Sequence, residues 1–264
     1  MSLTVTILGC GSSGGVPRVA TGWGACDPHE PRNRRRRCSI LVRRENGHGE
    51  TNFLVDTSPD LREQMLDNHV ETIDGVLLTH DHADHTHGID DLRPYFIRSR
   101  RRIDAWMDPV TSPDVRQRFG YIFETPDGSD YPPILNQHQT GPDRPFAVDG
   151  PGGSIHVTTF RLPHGQTQAL GLRIGGMAYT PDLSDIPDDQ KGHLSGLDLW
   201  IIDALRITPH PSHFSLSEAL EWIERLKPKH AVLTNLHTDL DYMTLKRQVP
   251  PNVEPAYDGL VLEL

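Results

Sequence analysis

The chain has 264 residues, of which 36% are hydrophobic and 23% charged: enough apolar side chains for a sizeable core, and too many for a disordered chain. Its 26 basic against 36 acidic residues leave a formal charge of −10, which disfavours coating nucleic acid or anionic membrane, and no run of 18 apolar residues exists to cross a bilayer. Cys10, Cys26 and Cys38 form no CxxC, and MSLTVTILGC shows neither a basic region nor a cleavage site, so a cytoplasmic protein without disulfides is expected.

Thr4–Leu8 reads as the opening strand. Gly9, Gly11 and Gly14 follow it with dinucleotide-fingerprint spacing, but Gly15, Pro17, Gly22 and Gly24 forbid the helix that motif needs. A glycine loop approaching an active site, with Ser12 and Ser13 facing substrate, is the functional alternative to simple turn-making. Arg32 and Arg34–Arg37 form a basic run, read as a solvated face. Ser39–Arg43 and Phe53–Val55 read as hairpin strands about a turn at Asn46–Gly47. Ser58-Pro59 is expected to cap a helix over Asp60–Leu66, with the proline at its first position. Gly75–Leu78 is a continuous apolar run, hence a buried strand. Residues 125–153 are rich in Pro, Gly and Asp and read as an irregular surface insertion. Val157–Phe160, Leu170–Ile174, Met177–Tyr179 and Leu199–Ile202 follow as strands. Ser215 and Glu218 form a capping box for a helix running to Lys227, stopped by Pro228. Ala231–Thr234 and Leu260–Leu264 complete the strands. Hairpins in the first half and interleaved helices throughout favour an α/β fold of two face-to-face sheets with helices outside, as one domain over residues 1–264.

One loop concentrates chemistry. Residues 80–87 read HDHADHTH: four histidines in eight residues, against 15 in the whole chain. The loop leaves the C-terminal end of a buried strand, where open α/β architectures gather ligands. His80 and His82, two apart in an extended segment, project to one side. Asp84 and His85, where a helix should start, turn towards a neighbouring point. Two metals about 3.5–4 Å apart would be held this way, an arrangement that supports displacement at phosphorus or attack on a carbonyl. The mixed His/Asp set suits zinc, manganese or iron with open positions. Asp56, in LVDTS at a strand end, is placed to hydrogen-bond the histidine loop from behind.

His80-x-His82-x-Asp84-His85 resembles the HxHxDH signature of the metallo-β-lactamase superfamily. That resemblance implies a four-layer αββα sandwich with metals at one sheet edge. It also implies a lone histidine, a bridging aspartate and a final histidine after later strands, positions matched by His164, Asp182 and His237. By likeness, His80, His82 and His164 bind one metal, Asp84, His85 and His237 a second, and Asp182 bridges; two divalent ions, Zn or Mn, are the implied cofactors. ILGCGSSGGVP, NRRRRCSILV and HPSHFSLSEALEWIERLKPKHAVLTN further resemble the PhnP-like phosphodiesterase group, whose phosphate-handling histidine corresponds to His213. That group writes THxSH where this chain has Thr234-Asn235-Leu236-His237-Thr238, a displacement of two residues that keeps the same face if the strand continues. Of the group's remote cysteine cluster for a structural zinc, Cys26 alone is present, so no such zinc is expected.

The resemblance implies a dinuclear metal-dependent hydrolase cleaving a small cyclic or nucleotide-like phosphodiester. Catalysis would use a metal-bound hydroxide, with Asp182 fixing the metals and His213 neutralising phosphate charge. Expected partners are a small phosphate-ester substrate, with room for a homodimer, and neither stable nucleic acid nor membrane. The alternatives are a lactonase or thioesterase, a tRNA 3′-processing nuclease, or a metal-dependent nucleotide-binding sensor without turnover.

Overall fold

The computed structural model describes residues 2–142 and 144–264; Met1 and Asp143, the latter inside the 125–153 segment, lie outside the described residues. Strands β1 (Ser2–Gly9), β2 (Ser39–Asn46) and β3 (Gly49–Val55) lead to helix α1 (Leu61–Asp67), strand β4 (Gly75–Leu77) and the short helices α2 (Ala83–Thr86) and α3 (Arg93–Ser99). Next come β5 (Ile103–Met107), α4 (Thr111–Phe123), β6 (Leu135–Gln139) and β7 (Phe146–Val148). β8 (Ile155–His164), β9 (Thr167–Ile174), β10 (Met177–Thr180) and β11 (Leu199–Asp203) precede α5 (Leu216–Leu226). The chain closes with β12 (His230–Thr234), α6 (Tyr242–Gln248), β13 (Val253–Pro255) and β14 (Val261–Glu263).

These strands form two seven-stranded sheets, ordered β14-β1-β2-β3-β4-β5-β6 and β13-β12-β11-β10-β9-β8-β7. In each sheet an antiparallel portion gives way to a parallel run, β3 to β6 in one and β10 to β13 in the other. Period-two alternation explains the layering, because both faces of the central strands are apolar. Ile40 and Val42 of β2 join Leu172, Tyr179, Ile201 and Val232 in the cluster between the sheets. Leu41 points the other way, with Leu54, Leu61 and Val115, beneath the helices of the first half. Trp200, Ile202 and Leu233 do the same under α5 and α6, against Ala219, Ile223 and Leu245. Three apolar layers between four layers of structure make the expected αββα sandwich.

Two local expectations are corrected. The 125–153 segment is not wholly irregular: it supplies β6 and β7, an edge strand for each sheet. β6 reads LNQHQ, with little apolar alternation, because an edge strand is held mainly by backbone pairing to β5. The N-cap of α1 is Asp60, so Pro59 precedes the helix; Ser58 Oγ instead accepts from Asp60 N at 3.1 Å and bonds Gln64 Oε1. The capping box of α5 is present as read, with Ser215 Oγ and Glu218 each bonding the other's backbone N–H. No helix among the described residues is long and apolar enough to cross a membrane.

Candidate metal centre

The C-terminal ends of parallel strands from both sheets meet at one edge. β3 delivers Asp56, β4 the His80–His85 loop, β10 Asp182, β11 Asp203 and β12 Asn235; His164 ends the antiparallel β8. Burial of Leu77, Tyr179, Ile201 and Val232 at their roots fixes the strands, and so fixes the loops they carry.

His80, His82, His164 and Asp182 present donor atoms that all lie within 4.8 Å of one another. Asp182 is buried; its Oδ2 stands 3.4 Å from His164 Nε2 and 3.6 Å from His80 Nε2, while its Oδ1 stands 3.4 Å from His85 Nε2. Burial opposes its ionisation, yet His85, which also hydrogen-bonds it, and His213 hold its carboxyl well below the usual carboxylate range. His85 Nε2 also lies 3.5 Å from Asp84 Oδ2, so Asp84, His85 and the second oxygen of Asp182 mark a neighbouring position.

Hydrogen bonds behind the site set which ring nitrogens are bare. His85 Nδ1 donates to Asp56 Oδ2 at 2.7 Å. Thr79 N donates to Asp56 Oδ1 at 2.8 Å, and the Thr79 hydroxyl, donating to Asp56, is left to accept from His80 Nδ1 at 3.0 Å. His164 Nδ1 donates to the Ser212 carbonyl at 2.7 Å. With Nδ1 so engaged, all three rings turn Nε2 towards Asp182, the nitrogen each would offer to a cation; at His85 burial opposes the charge, but Asp182 and Asp56 prevail and hold its pKa well above the ordinary histidine value. His80 Nε2 is buried without a hydrogen-bond partner, and burial, with His85 beside it, holds its pKa well below the ordinary histidine value. A buried, neutral, unpartnered imidazole nitrogen beside a carboxylate fits a divalent cation.

His213 Nδ1 lies 2.9 Å from Asp203 Oδ2 and 3.9 Å from Asp182 Oδ2. Burial works against its charge, but Asp203 prevails and lifts its pKa to about 9. Gly165 lets this loop close on the site: its φ is +62°, and a Cβ there would fall 2.8 Å from Ser212 Cβ.

His237 is the expectation the structure corrects. Its Nε2 accepts from Arg18 Nη1 at 2.6 Å, and its Nδ1 lies 3.2 Å from Thr238 Oγ1, so both ring nitrogens are engaged away from Asp182. The two-residue step assumed a continuing strand, but β12 ends at Thr234 and Asn235 takes a φ of +62. Asn235, buried, occupies the place beside the carboxylate, its Nδ2 3.4 Å from Asp182 Oδ1 and 3.4 Å from the Pro181 carbonyl. Turned over, the same amide presents an oxygen to the second position.

One cavity of about 300 Å³ opens on this cluster. It is lined by the expected His82, Asp84, His164, Asp182, His213, Ser12, Ser13 and His237, and also by Arg18, Arg206, His210 and Asn235, which sequence reasoning passed over. The arginine run of residues 32–37 lines no part of this cavity. Arg36 and Arg37 pair with Asp67 and Asp60, and Arg35, expected on a solvated face, is buried against Asn33 and the His237 carbonyl. A separate cavity of about 590 Å³, lined by Arg98, Arg101 and Trp106, contains none of these donors.

A family described as the beta-lactamase superfamily domain matches residues 51–235. An octanoyltransferase of Porphyromonas gingivalis is 34% identical over 259 residues, covering 96% of this chain; the chain spans 50% of that relative's length. The anti-Pycsar protein Apyc1 of Bacillus phage BSP38 is 37% identical over 201 residues, 70% of this chain and 76% of the phage protein. A crystal structure described as a new diphosphatase from the PhnP family superposes with a TM-score of 0.88 at 34% identity, covering 99% of this chain and 98% of the other.

Proposed function

The chain belongs to the beta-lactamase superfamily, and from that premise we propose that it is a metal-dependent phosphodiesterase acting on a small cyclic or nucleotide-like phosphodiester. The lining of the cavity carries this reading: among its fourteen residues Leu205 is the one apolar side chain, and the others are histidine, arginine, aspartate, asparagine and serine. A phosphate ester finds counter-charge and hydrogen bonds there. An acyl chain or lactone ring, as a thioesterase or lactonase would take, finds only Leu205 as an apolar side chain there. The name octanoyltransferase belongs to a relative twice as long as the stretch it shares with this chain.

His80, His82, His164 and Asp182 would hold one divalent ion, and Asp84, His85, Asp182 and Asn235 a second. Such ions polarise a phosphoryl group and make water a competent nucleophile near neutral pH. Around them the chain's own groups have distinct tasks. Asp56 and Thr79 fix the tautomers of His85 and His80; the Ser212 carbonyl fixes that of His164. His213, its Nδ1 proton held by Asp203, keeps Nε2–H for a nonbridging phosphoryl oxygen, where charge grows in the transition state.

The test offers metal-loaded protein a phosphodiester, a lactone and an acyl thioester in parallel. A kcat/KM for the diester at least a hundredfold above the other two is expected; preferential turnover of the lactone or thioester would overturn the proposal.

A further inference from the structure

The segment between β11 and α5 carries a histidine that the metal cluster does not use. Pro209 and Pro211 flank His210, so Thr208 and His210 each precede a proline and are biased towards extended backbone. Arg206 braces the turn, donating from Nε to the Thr208 carbonyl at 3.0 Å and from Nη2 to the Pro209 carbonyl at 2.7 Å. Leu205 N, donating to the Phe214 carbonyl, and Leu216 N, donating to the Arg206 carbonyl, close its base. His210 is thereby held in the wall of the cavity.

Its neighbours fix its tautomer. A backbone N–H can only donate, and Ser212 N donates to His210 Nδ1 at 3.3 Å, with Ser212 Oγ 3.1 Å from the same nitrogen. Nδ1 is therefore bare and the ring proton sits on Nε2. Burial, with His213 and Arg206 beside it, holds the His210 pKa below the ordinary histidine value, so the ring is neutral near pH 7 and keeps that one proton. Among the described residues no protein group accepts it, since both hydrogen bonds of the ring are at Nδ1.

Four imidazoles stand in a file that leads out from the metal donors. Ring centroids lie 4.9 Å apart from His82 to His164, 4.6 Å from His164 to His213 and 5.2 Å from His213 to His210. His164 Nε2 and His213 Nδ1 lie 3.4 and 3.9 Å from Asp182 Oδ2; His210 is the next ring outward. In-line displacement puts the departing oxygen on the side of phosphorus opposite the attacking water. With water arriving from the metal side and His213 on a nonbridging oxygen, the departing oxygen lies towards the outer end of the file.

We propose that His210 is a further catalytic residue, donating its Nε2–H to the ester oxygen that leaves phosphorus. The inference rests on the phosphodiesterase reading above and adds a role within it. As water's oxygen bonds to phosphorus, the P–O bond to the leaving group breaks and its electron pair stays on the departing oxygen. His210 keeps its proton and stabilises that oxygen by the hydrogen bond; water supplies the OH that phosphorus gains and, through solvent, the proton that the departing oxygen takes. A fixed donor aimed at growing oxyanion charge matters more as the departing oxygen becomes more basic.

The test compares the phenyl and p-nitrophenyl esters of thymidine 5′-phosphate, which differ in how basic a phenol leaves, in metal-loaded wild type, His210→Asn and His210→Gln. Asparagine keeps an oxygen near the place of Nδ1 for Ser212 N but loses the outer donor, whereas glutamine reaches the place of Nε2 with an NH2 group. His210→Asn should lower the phenyl to p-nitrophenyl ratio of kcat at least tenfold, and His210→Gln should restore it to within threefold of wild type, with metal per chain equal in all three. The ratio is unaffected by a misfolded fraction, which lowers both rates together. An unchanged ratio in His210→Asn overturns the role, whatever the loss in rate. Loss of bound metal in His210→Asn overturns it too, because His210 would then act through Ser212 and the His164 that its carbonyl holds. Either result leaves phosphodiester cleavage by wild type standing. Cleavage of neither ester by wild type would overturn the phosphodiesterase reading, and this role with it.

Discussion

Replacing Asp56 by asparagine should weaken metal binding without touching a metal donor. Asp56 accepts three hydrogen bonds, from Thr79 N, the Thr79 hydroxyl and His85 Nδ1. Asparagine has the same shape but one oxygen and one NH2 group. If its oxygen keeps Thr79 N, its NH2 faces His85 Nδ1, which must then accept; the proton moves to Nε2, the atom 3.4 Å from Asp182 Oδ1. If the amide turns over, the NH2 faces Thr79 N, and a buried N–H loses its acceptor at a cost of about 1–3 kcal/mol. The Thr79 hydroxyl can no longer be relied on to orient His80 in either case. Loss of such outer partners costs roughly 10–100-fold in metal affinity, or about 1.4–2.7 kcal/mol. Calorimetric titration of Zn²⁺ or Mn²⁺ into wild type and Asp56→Asn measures this directly, with far-UV circular dichroism reporting the fold. A folded Asp56→Asn protein that binds metal as tightly as wild type would refute the tautomer account.

Asn235→His restores an imidazole beside Asp182, so the second ion should survive dialysis that strips it from wild type, read as metal per chain; unchanged stoichiometry would place the second position elsewhere. Gly165→Ala puts a methyl group 2.8 Å from Ser212 Cβ at a positive φ, and should lower kcat at least tenfold through His164 and His213, with thermal melting as the control for folding. Burial pushes the Asp258 carboxyl up to about 7, against hydrogen bonds from Arg36 N and Cys10 N, so the folded state keeps a proton that the unfolded chain has released. Its stabilising contribution is full below about pH 4 and is lost as pH rises through about 7. The stability of wild type relative to Asp258→Asn should fall by about 1.4 kcal/mol per unit between pH 5 and 7 and then level off. Urea melts at pH 5, 6, 7 and 8 measure it, and a constant difference would contradict it. Ser215→Ala removes the hydroxyl that accepts from Glu218 N, leaving the residue 215 N–H to the Glu218 carboxylate, and should cost about 0.5–2 kcal/mol in the same assay.

What could be read from the sequence follows how local each signal is. His80, His82, Asp84 and His85 share one short loop, so their convergence needs no knowledge of the rest of the fold. His164 and Asp182 were reachable because each follows a recognisable apolar strand. Asp203, in LWIID at the end of an equally apolar strand, carries the same signal, yet only its partner His213 was singled out. His237 misled because strand periodicity was carried past Thr234, where Asn235 turns the chain. Arg18 is separated from His237 by 219 residues, and nothing in PRVAT marks it as facing a cavity. The polar edge strand β6 was illegible for a related reason: its backbone partner, not its side-chain pattern, defines it.

The most direct test of the account is turnover of bis(p-nitrophenyl) phosphate by metal-loaded protein, with metal content measured on the same samples of wild type, His82→Ala and Asp182→Ala. The account predicts diester cleavage that disappears on chelation and returns with metal, and that falls at least a hundredfold in both variants together with bound metal. Full activity in a metal-loaded Asp182→Ala protein, or stoichiometric metal in wild type without cleavage of any phosphodiester, would contradict it.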